Sequence, residues 1–438
     1  MSQGWSAHAI WWQVYPLGFV GARTERDPSA AVVHALGRIE PWLDYVIEMG
    51  CSGIALGPVF ASETHGYDTI DFFAIDPRLG DDADFDALVE AAHARGLRVL
   101  LDGVFNHVGR AHPAFAAALT DGPSSPTASW FRLDWPDGWT PGDPAPSAGN
   151  FEGHDQLVAL NHQSPAVVEL IVDVMTHWLS RGADGWRLDA AYTVPEPFWA
   201  QVLPRVRGAH PDAWIVGEVI HGDYPEIVAA SGMDSVTQYE LWKAIGNGIQ
   251  EGNFYELAWS MTRHNEFLAT FVPMTFIGNH DVTRLATQIT DARHHLHALV
   301  VLMTVGGVPS VYYGDEQGFT GLKEERFGGD DAIRPAFPAG PDDLAPDGWP
   351  TYHRHQELIS LRRRHPWLHR ATTAELSLTN TGYAYEARSG ENRLVVALNL
   401  DDAELVLADL EVSQVLAGQA ELDGGSVRVP AHGWVVLS

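Results

Sequence analysis

Gly185-Trp186-Arg187-Leu188-Asp189 sets a cation and a carboxylate two residues apart at the end of a strand-like run. Side chains two apart on an extended strand face the same way, so Arg187 and Asp189 point into one space. A guanidinium held there lowers the carboxylate's pKa and keeps it ionised, as a nucleophile requires. Taken alone, an R-x-D pair is more often a structural ion pair, because such pairs are common. The company this stretch keeps reverses that weighting.

On both sides of it, short apolar runs alternate with segments of helical periodicity. Strand-like runs at 10–15, 53–56, 98–102, 185–189, 214–218, 234–239, 271–277 and 308–312 are counted. Between them the spacing predicts helices near 31–49, 84–95, 165–181 and 196–208, with another near 352–364. Eight strands separated by helices read as parallel β/α units, hence an α/β chain with a (β/α)8 barrel. Residues 107–163, rich in Gly, Pro, Asp and Trp, interrupt the third unit and read as an inserted lobe overhanging the site. Beyond about 369, alternating runs such as 394–400 and 427–437 read as antiparallel strands of a C-terminal β-sandwich. The expected division is a barrel from 1–106 and 164–368, a lobe at 107–163 and a β domain at 369–438.

Composition narrows the partners. With 57 acidic against 27 basic residues the net charge is −30, which repels nucleic acid and anionic membranes and suits neutral or cationic ligands. The one cysteine, Cys51, lies in an apolar run, so no internal disulfide forms and a reducing compartment is natural. The first twenty residues show no basic segment followed by an apolar core, and no run of eighteen apolar residues occurs. A cytoplasmic location is the expectation. Sixteen tryptophans are more than a core needs, and aromatic faces pack well on the C–H faces of sugar rings.

Three acids close three of the strands. Asp189 and Glu218 are 29 residues apart, and Glu218 and Asp281 are 63 apart. A βα unit takes roughly 30 residues, so these are the ends of strands four, five and seven, converging on the C-terminal mouth of a barrel. Two convergent carboxyl groups can cleave a glycosidic bond with retention, one attacking the anomeric carbon while the other protonates the leaving oxygen. A third, ionised, can steady oxocarbenium-like charge. Each acid by itself reads more simply as a cap or a solvated surface charge.

Four motifs in this order resemble the α-amylase family of glycoside hydrolases: Asp102-Gly-Val-Phe-Asn-His107, Gly185-Trp-Arg-Leu-Asp189, Ile215-Val-Gly-Glu218 and Phe276-Ile-Gly-Asn-His-Asp281. The resemblance implies that Asp189 is the nucleophile with Arg187 as its partner, Glu218 the acid/base and Asp281 the transition-state stabiliser. It also implies that Asp102, His107 and His280 bind the sugar beside the cleaved bond. His65-Gly-Tyr67-Asp is similar to the loop whose tyrosine stacks on that sugar, which assigns Tyr67. Glu218-Val-Ile-His221, Tyr312-Tyr-Gly-Asp-Glu316 and Asp331-Ala-Ile-Arg334 resemble the branch holding neopullulanase, cyclomaltodextrinase and maltogenic amylase, and add Arg334 to the substrate-binding set.

Two departures matter. There is no room before Ile10 for the N-terminal β domain through which that branch often pairs, so its dimer geometry is not carried over and a homodimer stays open. Asp189-Ala-Ala-Tyr192-Thr193 lacks the Lys-His pair of starch-cutting amylases. The expected substrate is therefore a short or cyclic maltooligosaccharide cut at α-1,4 bonds, with α-1,6 bonds as the further option, and enzymes of similar length that hydrolyse a cyclic maltosyl-maltose tetrasaccharide are compatible with the build. Trp130, Trp135 and Trp139 are expected to wall off the mouth, with packing of the lobe as the plainer reading. Transglycosylation on the same substrates is the alternative, since a sugar hydroxyl can replace water on the glycosyl-enzyme. A non-catalytic carbohydrate-binding protein would be expected to have lost one of the three acids. A barrel metal site on His107 and His280 lacks the paired His ligands at strand one. No cofactor is required, and Asn106 sits where secreted relatives bind a structural calcium.

Overall fold

The computed structural model describes residues 4–326 and 328–438. Eight parallel strands are β1 (Trp11–Val14), β2 (Gly53–Leu56), β3 (Arg98–Gly103), β4 (Gly185–Leu188), β5 (Trp214–Gly217), β6 (Ser235–Val236), β7 (Met274–Phe276) and β8 (Val308–Tyr312). They run in the order β6-β5-β4-β3-β2-β1-β8-β7. A parallel bridge from Thr237 to Met274 closes the ring, and the Gln238 N–H donates to the Met274 carbonyl at 2.9 Å. The architecture is a (β/α)8 barrel.

Period-two alternation along the strands divides the barrel interior into a floor and a mouth. Trp11, Ala55, Leu100, Trp214, Val216, Met274 and Val308 pack together as the floor. The Trp11 and Trp214 rings stack there at 5.8 Å, and Trp5 meets Trp11 edge-on at 5.9 Å. Two residues further along the same strands the side chains become polar: Gln13 after Trp11, Asp102 after Leu100, Glu218 after Val216. The residues between them, such as Trp12 and Leu101, turn outward into the helix layer. Each strand thus carries apolar plugging below and chemistry above.

Several element boundaries differ from the periodicity. The expected helix near 31–49 is a 3-10 turn over Leu36–Trp42 followed by a helix at Leu43–Met49, because Pro41 has no N–H to continue an α-helical ladder. The expected strand at 234–239 keeps only Ser235–Val236; Gln238 leaves it to cap the helix Tyr239–Gln250 by accepting from the Leu241 N–H. The run at 271–277 enters the sheet only at Met274, after Pro273, which has no donor for the ladder.

Between β3 and the helix Pro165–Ser180 lies the inserted lobe, with a helix at Pro113–Asp121 and an antiparallel sheet of His107–Gly109, His154–Ala159 and Asn150–Phe151. Its tryptophans do not wall the mouth. Trp135 and Trp139 pack on one another at 4.8 Å, and Trp139 lies over Gly122, where a methyl would come within 2.1 Å of the ring. Trp130 leans on the main core. Trp135 and Trp139 are thus spent on packing within the lobe and Trp130 on packing against the main core.

After the helix Trp349–Arg364 the chain forms two antiparallel sheets, one of five strands and one of three. Ala384, Val395, Ala397, Leu407, Val427, Val429, Val435 and Leu437 fill the space between them. The alternate residues Tyr383, Tyr385, Leu394, Val396 and Leu398 face the barrel helices instead. One sheet thereby serves both the sandwich core and the barrel contact.

Candidate active site

Register brings the first pair together. Arg187 on β4 lies directly beside Asp102 on β3 in the parallel ladder, so both side chains share one layer of the barrel. Arg187 Nη1 donates to Asp102 Oδ1 and Oδ2 at 2.7 and 2.9 Å and to Asp189 Oδ1 at 2.8 Å. Its Nη2 meets Glu218 Oε1 at 2.7 Å. One guanidinium, 8 % exposed, therefore holds three carboxylates at the ends of three neighbouring strands.

The residue after Asp189 explains how Glu218 is seated. Ala190 has φ +45°, a left-handed conformation that costs a non-glycine residue energy and turns its N–H back into the barrel. That N–H donates to Glu218 Oε2 at 3.0 Å, while Tyr239 Oη donates to Oε1 at 3.0 Å. Asn279 Nδ2 donates to Tyr239 Oη at 2.9 Å, and Asn279 Oδ1 accepts from the Asp281 N–H at 2.9 Å. A chain of hydrogen bonds thus links Glu218 to Asp281.

Around Asp281 the site is cationic. His280 Nε2 lies 2.9 Å from Asp281 Oδ2, and Arg334 Nη2 donates to Oδ1 at 2.9 Å and also pairs with Asp330 at 2.9 Å. The Gln13 amide donates to His280 Nδ1 at 3.1 Å, which leaves the proton on Nε2, facing Asp281 and the Tyr67 hydroxyl. Tyr67 Oη donates to Asp102 Oδ2 at 3.1 Å. The Tyr67, His280 and Tyr15 rings lie parallel, 5.4 and 6.1 Å apart in turn, and the Arg334 guanidinium sits 4.7 Å over Tyr15. Stacking fixes the plane of His280 and hence the direction of its proton.

His107 is placed differently. Its Nε2 donates to the Tyr67 carbonyl at 2.9 Å, its Nδ1 accepts from Asn106 at 3.1 Å, and its ring stacks on Phe151 at 4.9 Å. Burial pushes it down to about 4, so it is neutral. With both nitrogens engaged, a sugar hydroxyl reaches it only by sharing the Nε2 proton with Tyr67. Its visible work is to hold the Tyr67 loop against the lobe.

Electrostatics correct one expectation. Burial pushes Asp189 well above the usual carboxylate range; Arg187 opposes this, but Glu218, Asp102 and Asp281 add to it. Asp102 is likewise raised, by burial first. The sequence suggested that Arg187 would hold Asp189 down, yet one cation divided among three carboxylates cannot offset their mutual repulsion in a buried site. Asp281 differs: burial alone would raise it, but His280, Arg334 and Arg187 together hold it far below the usual range. Of these carboxyls Asp189 and Asp102 are thus the ones pushed toward the protonated form, and Asp281 the one pushed toward the ionised form.

Gln13, Tyr15, Tyr239, Asn279 and Asp330 belong to this constellation and were not singled out from the sequence. Gln13 and Tyr15 carried a signal, since they continue the inward face that begins at Trp11. Tyr239 carried none, because the two-residue strand before it hides its direction. The Cys51 thiol, buried and pushed up to about 12, is no nucleophile.

The α-amylase catalytic-domain family matches residues 13–370, from the strand that carries Gln13 to the edge of the C-terminal sandwich. The chain belongs to the α-amylase family. It is a glycoside hydrolase of that family. A cyclomaltodextrinase of a Bacillus species is 30% identical over 431 residues, 91% of this chain and 74% of the relative. The cyclic α-maltosyl-(1→6)-maltose hydrolase of Arthrobacter globiformis, solved with its cyclic substrate, superposes with a TM-score of 0.82 at 26% identity over 99% of this chain and 98% of the other. The debranching enzyme of Nostoc punctiforme does so with a TM-score of 0.83 at 26% identity over 99% and 98%. Among the described residues no helix is long and apolar enough to cross a membrane.

Proposed function

We propose that this α-amylase-family chain hydrolyses α-1,4, and in a cyclic or branched setting α-1,6, glucosidic bonds of short maltooligosaccharides with retention. The observation that carries it is the guanidinium of Arg187 shared by Asp102, Asp189 and Glu218, which packs the two reacting carboxyls into one small, water-poor space. In this reading Asp189 Oδ attacks the anomeric carbon as the proton on Glu218 passes to the leaving glycosidic oxygen. Positive charge growing at the anomeric carbon favours the ionised Asp189 and so the microstate with the proton on Glu218. That proton belongs on Oε2, because Oε1 already accepts from Arg187 and Tyr239. In the second half, Glu218 takes a proton from water, the water oxygen bonds to the anomeric carbon and Asp189 departs as carboxylate. Asp102, His280 and Arg334 would hold sugar hydroxyls and orient Asp281, while Tyr67 would supply a stacking face. The reaction so written uses only protein groups and water.

Substrate size follows from what flanks the acids. A cavity of about 450 Å³, within the usual range for ligand sites, is lined by Tyr15, Thr64, His65, Asp331 and Arg334, and reaches the acids through Arg334, which donates to Asp281. On the other side Glu152, in the lobe, accepts from Tyr192 Oη at 2.8 Å, and Tyr192 packs edge-on against His221 at 5.0 Å. This bridge stands just beyond Asp189, where the Lys-His pair is missing. Small cyclic or linear substrates suit such a bounded site, and the whole-length likeness to a cyclic maltosyl-maltose hydrolase supports the same class. The test compares kcat/KM on maltotetraose, cyclomaltodextrin, a cyclic maltosyl-maltose, pullulan and soluble starch, with NMR of the first product. A strong preference for a small substrate and an α-anomer are expected. An initial β-anomer would overturn the double displacement, and equal efficiency on starch the bounded site; products longer than the substrate would favour the transglycosylase reading.

A further inference from the structure

The seam between the barrel and the C-terminal sandwich carries a second cluster of side chains, which the carbohydrate site does not use. Asp291 caps the 3-10 turn Ala292–His294 that leads into the barrel helix His295–Thr304. His432 lies in the loop before the final strand Trp434–Leu437. His294 Nε2 and His432 Nδ1 are 2.9 Å apart, and one donor atom from each of Asp291, His294 and His432 lies within 4.8 Å of the others. Asp402 Oδ1 accepts from His432 Nε2 at 2.7 Å, which leaves His432 Nδ1 to face His294. His297 Nε2 donates to the carbonyls of Asn399 and Gly433, both at 3.1 Å, pinning the loops on either side. His432 itself has φ +55°, a conformation that a non-glycine residue keeps only where its surroundings impose it.

We propose that Asp291, His294 and His432 form a binding site for a divalent transition-metal ion, Zn²⁺ being the best match, with Asp402 orienting His432. Two imidazole nitrogens and one carboxylate oxygen, with water as fourth ligand, are a three-protein-ligand zinc set; nitrogen donors disfavour Ca²⁺ and Mg²⁺. Zn–N bonds of 2.0–2.1 Å in a tetrahedron put ligand nitrogens roughly 3.3 Å apart, so the pair at 2.9 Å opens by only about 0.4 Å. The His294 proton that now bridges to His432 moves to His294 Nδ1, and the ion takes the vacated Nε2 lone pair. Arg293 competes, since its guanidinium pairs with Asp291 at 2.6 Å; more than half exposed, it can swing away. The ion would tie residues 138 apart in sequence and staple the sandwich to the barrel, so its effect falls on stability.

The test uses the untagged full-length chain, stripped with EDTA and titrated with ZnCl2 by calorimetry, with thermal unfolding followed in parallel. One ion per chain and a Tm that climbs with free Zn²⁺ are expected. Asp402→Asn, which removes no ligand and is almost fully exposed, should weaken binding about tenfold, and Arg293→Ala should tighten it severalfold. His432→Ala should abolish it, and the two non-ligand variants keep the test decisive if that protein does not fold. Co²⁺ substituted for Zn²⁺ should give the visible absorption of a four-coordinate site. No saturable binding, or an affinity unchanged by Asp402→Asn, Arg293→Ala and His432→Ala alike, places any bound ion elsewhere, for instance at the exposed His34–Asp84 pair, and overturns the proposal.

Discussion

At the scale of single residues the site is held in electrostatic tension, and that tension is measurable. Asp189 has its pKa raised by burial and by Glu218, Asp102 and Asp281. A carboxyl raised on folding binds more protons native than unfolded, so its contribution to stability is present at low pH and is lost as pH rises through the folded value. Asp189→Asn keeps an oxygen for Arg187 and removes the charge. Its Tm should therefore match the parent near pH 4 and exceed it increasingly toward pH 8, by roughly 1–2 kcal/mol of stability, while turnover falls by orders of magnitude. A parent that gains stability relative to the variant as pH rises would contradict the upward shift of Asp189. Tyr239→Phe makes a second test: losing the hydroxyl that joins Glu218 to Asn279 should lower kcat about tenfold or more with little change in KM. Arg187, Asp189, Glu218 and Asp281 were legible because two-residue alternation and the spacing of strand ends are local properties of sequence, whereas Asp102 and His280 were found only through the resemblance of their motifs to the family's. Tyr239 was not legible, since its direction depends on a helix cap made after the chain leaves the sheet.

At the scale of elements, the lobe and the segment after β4 meet at the Glu152–Tyr192 hydrogen bond, just beyond Asp189. Asn150–Gly153 is a tight turn, with Glu152 at φ +50° and the Gly153 N–H donating to Asn150 Oδ1 at 3.1 Å; it presents Glu152 to Tyr192. Glu152→Ala should open this bridge. Starch and pullulan should gain severalfold in kcat/KM relative to maltotetraose, whose own value should hardly move. A ratio that stays flat would mean that the bridge does not screen substrates. The sequence pointed to tryptophans for this task because aromatic residues near a mouth can bind sugars, but a lobe with so little interior must first pack itself. Elsewhere, segment existence was readable and ends were not: Pro41 and Pro273 cut a helix and a strand short for want of an N–H.

At the scale of the whole molecule, the barrel and the sandwich share an apolar seam that no local pattern discloses, because alternation in a strand shows two faces without saying what covers each. Strand Gly382–Ser389 puts Ala384 into the sandwich and Tyr383 and Tyr385 against barrel helices. Tyr385 is fully buried, and its hydroxyl is 2.6 Å from Thr304 Oγ1 at the end of the barrel helix whose first turn follows His294. Two variants separate the ring from the hydroxyl. Tyr385→Phe removes one hydrogen bond and should cost about 0.5–1.5 kcal/mol, with Thr304 still bonded to the Val300 carbonyl at 2.7 Å. Tyr385→Ala also empties a large buried volume and should cost about 3–5 kcal/mol. If barrel and sandwich unfold as one unit, urea denaturation of both variants should remain a single transition at an unchanged m-value, with only the midpoint displaced. If the seam is merely adhesive, Tyr385→Ala should split the curve in two, an early phase for the sandwich and a later one for the barrel. The extent of apolar contact from Tyr383 through Leu398 favours the single transition, since a sheet that loses this cover would expose a contiguous hydrophobic face to water.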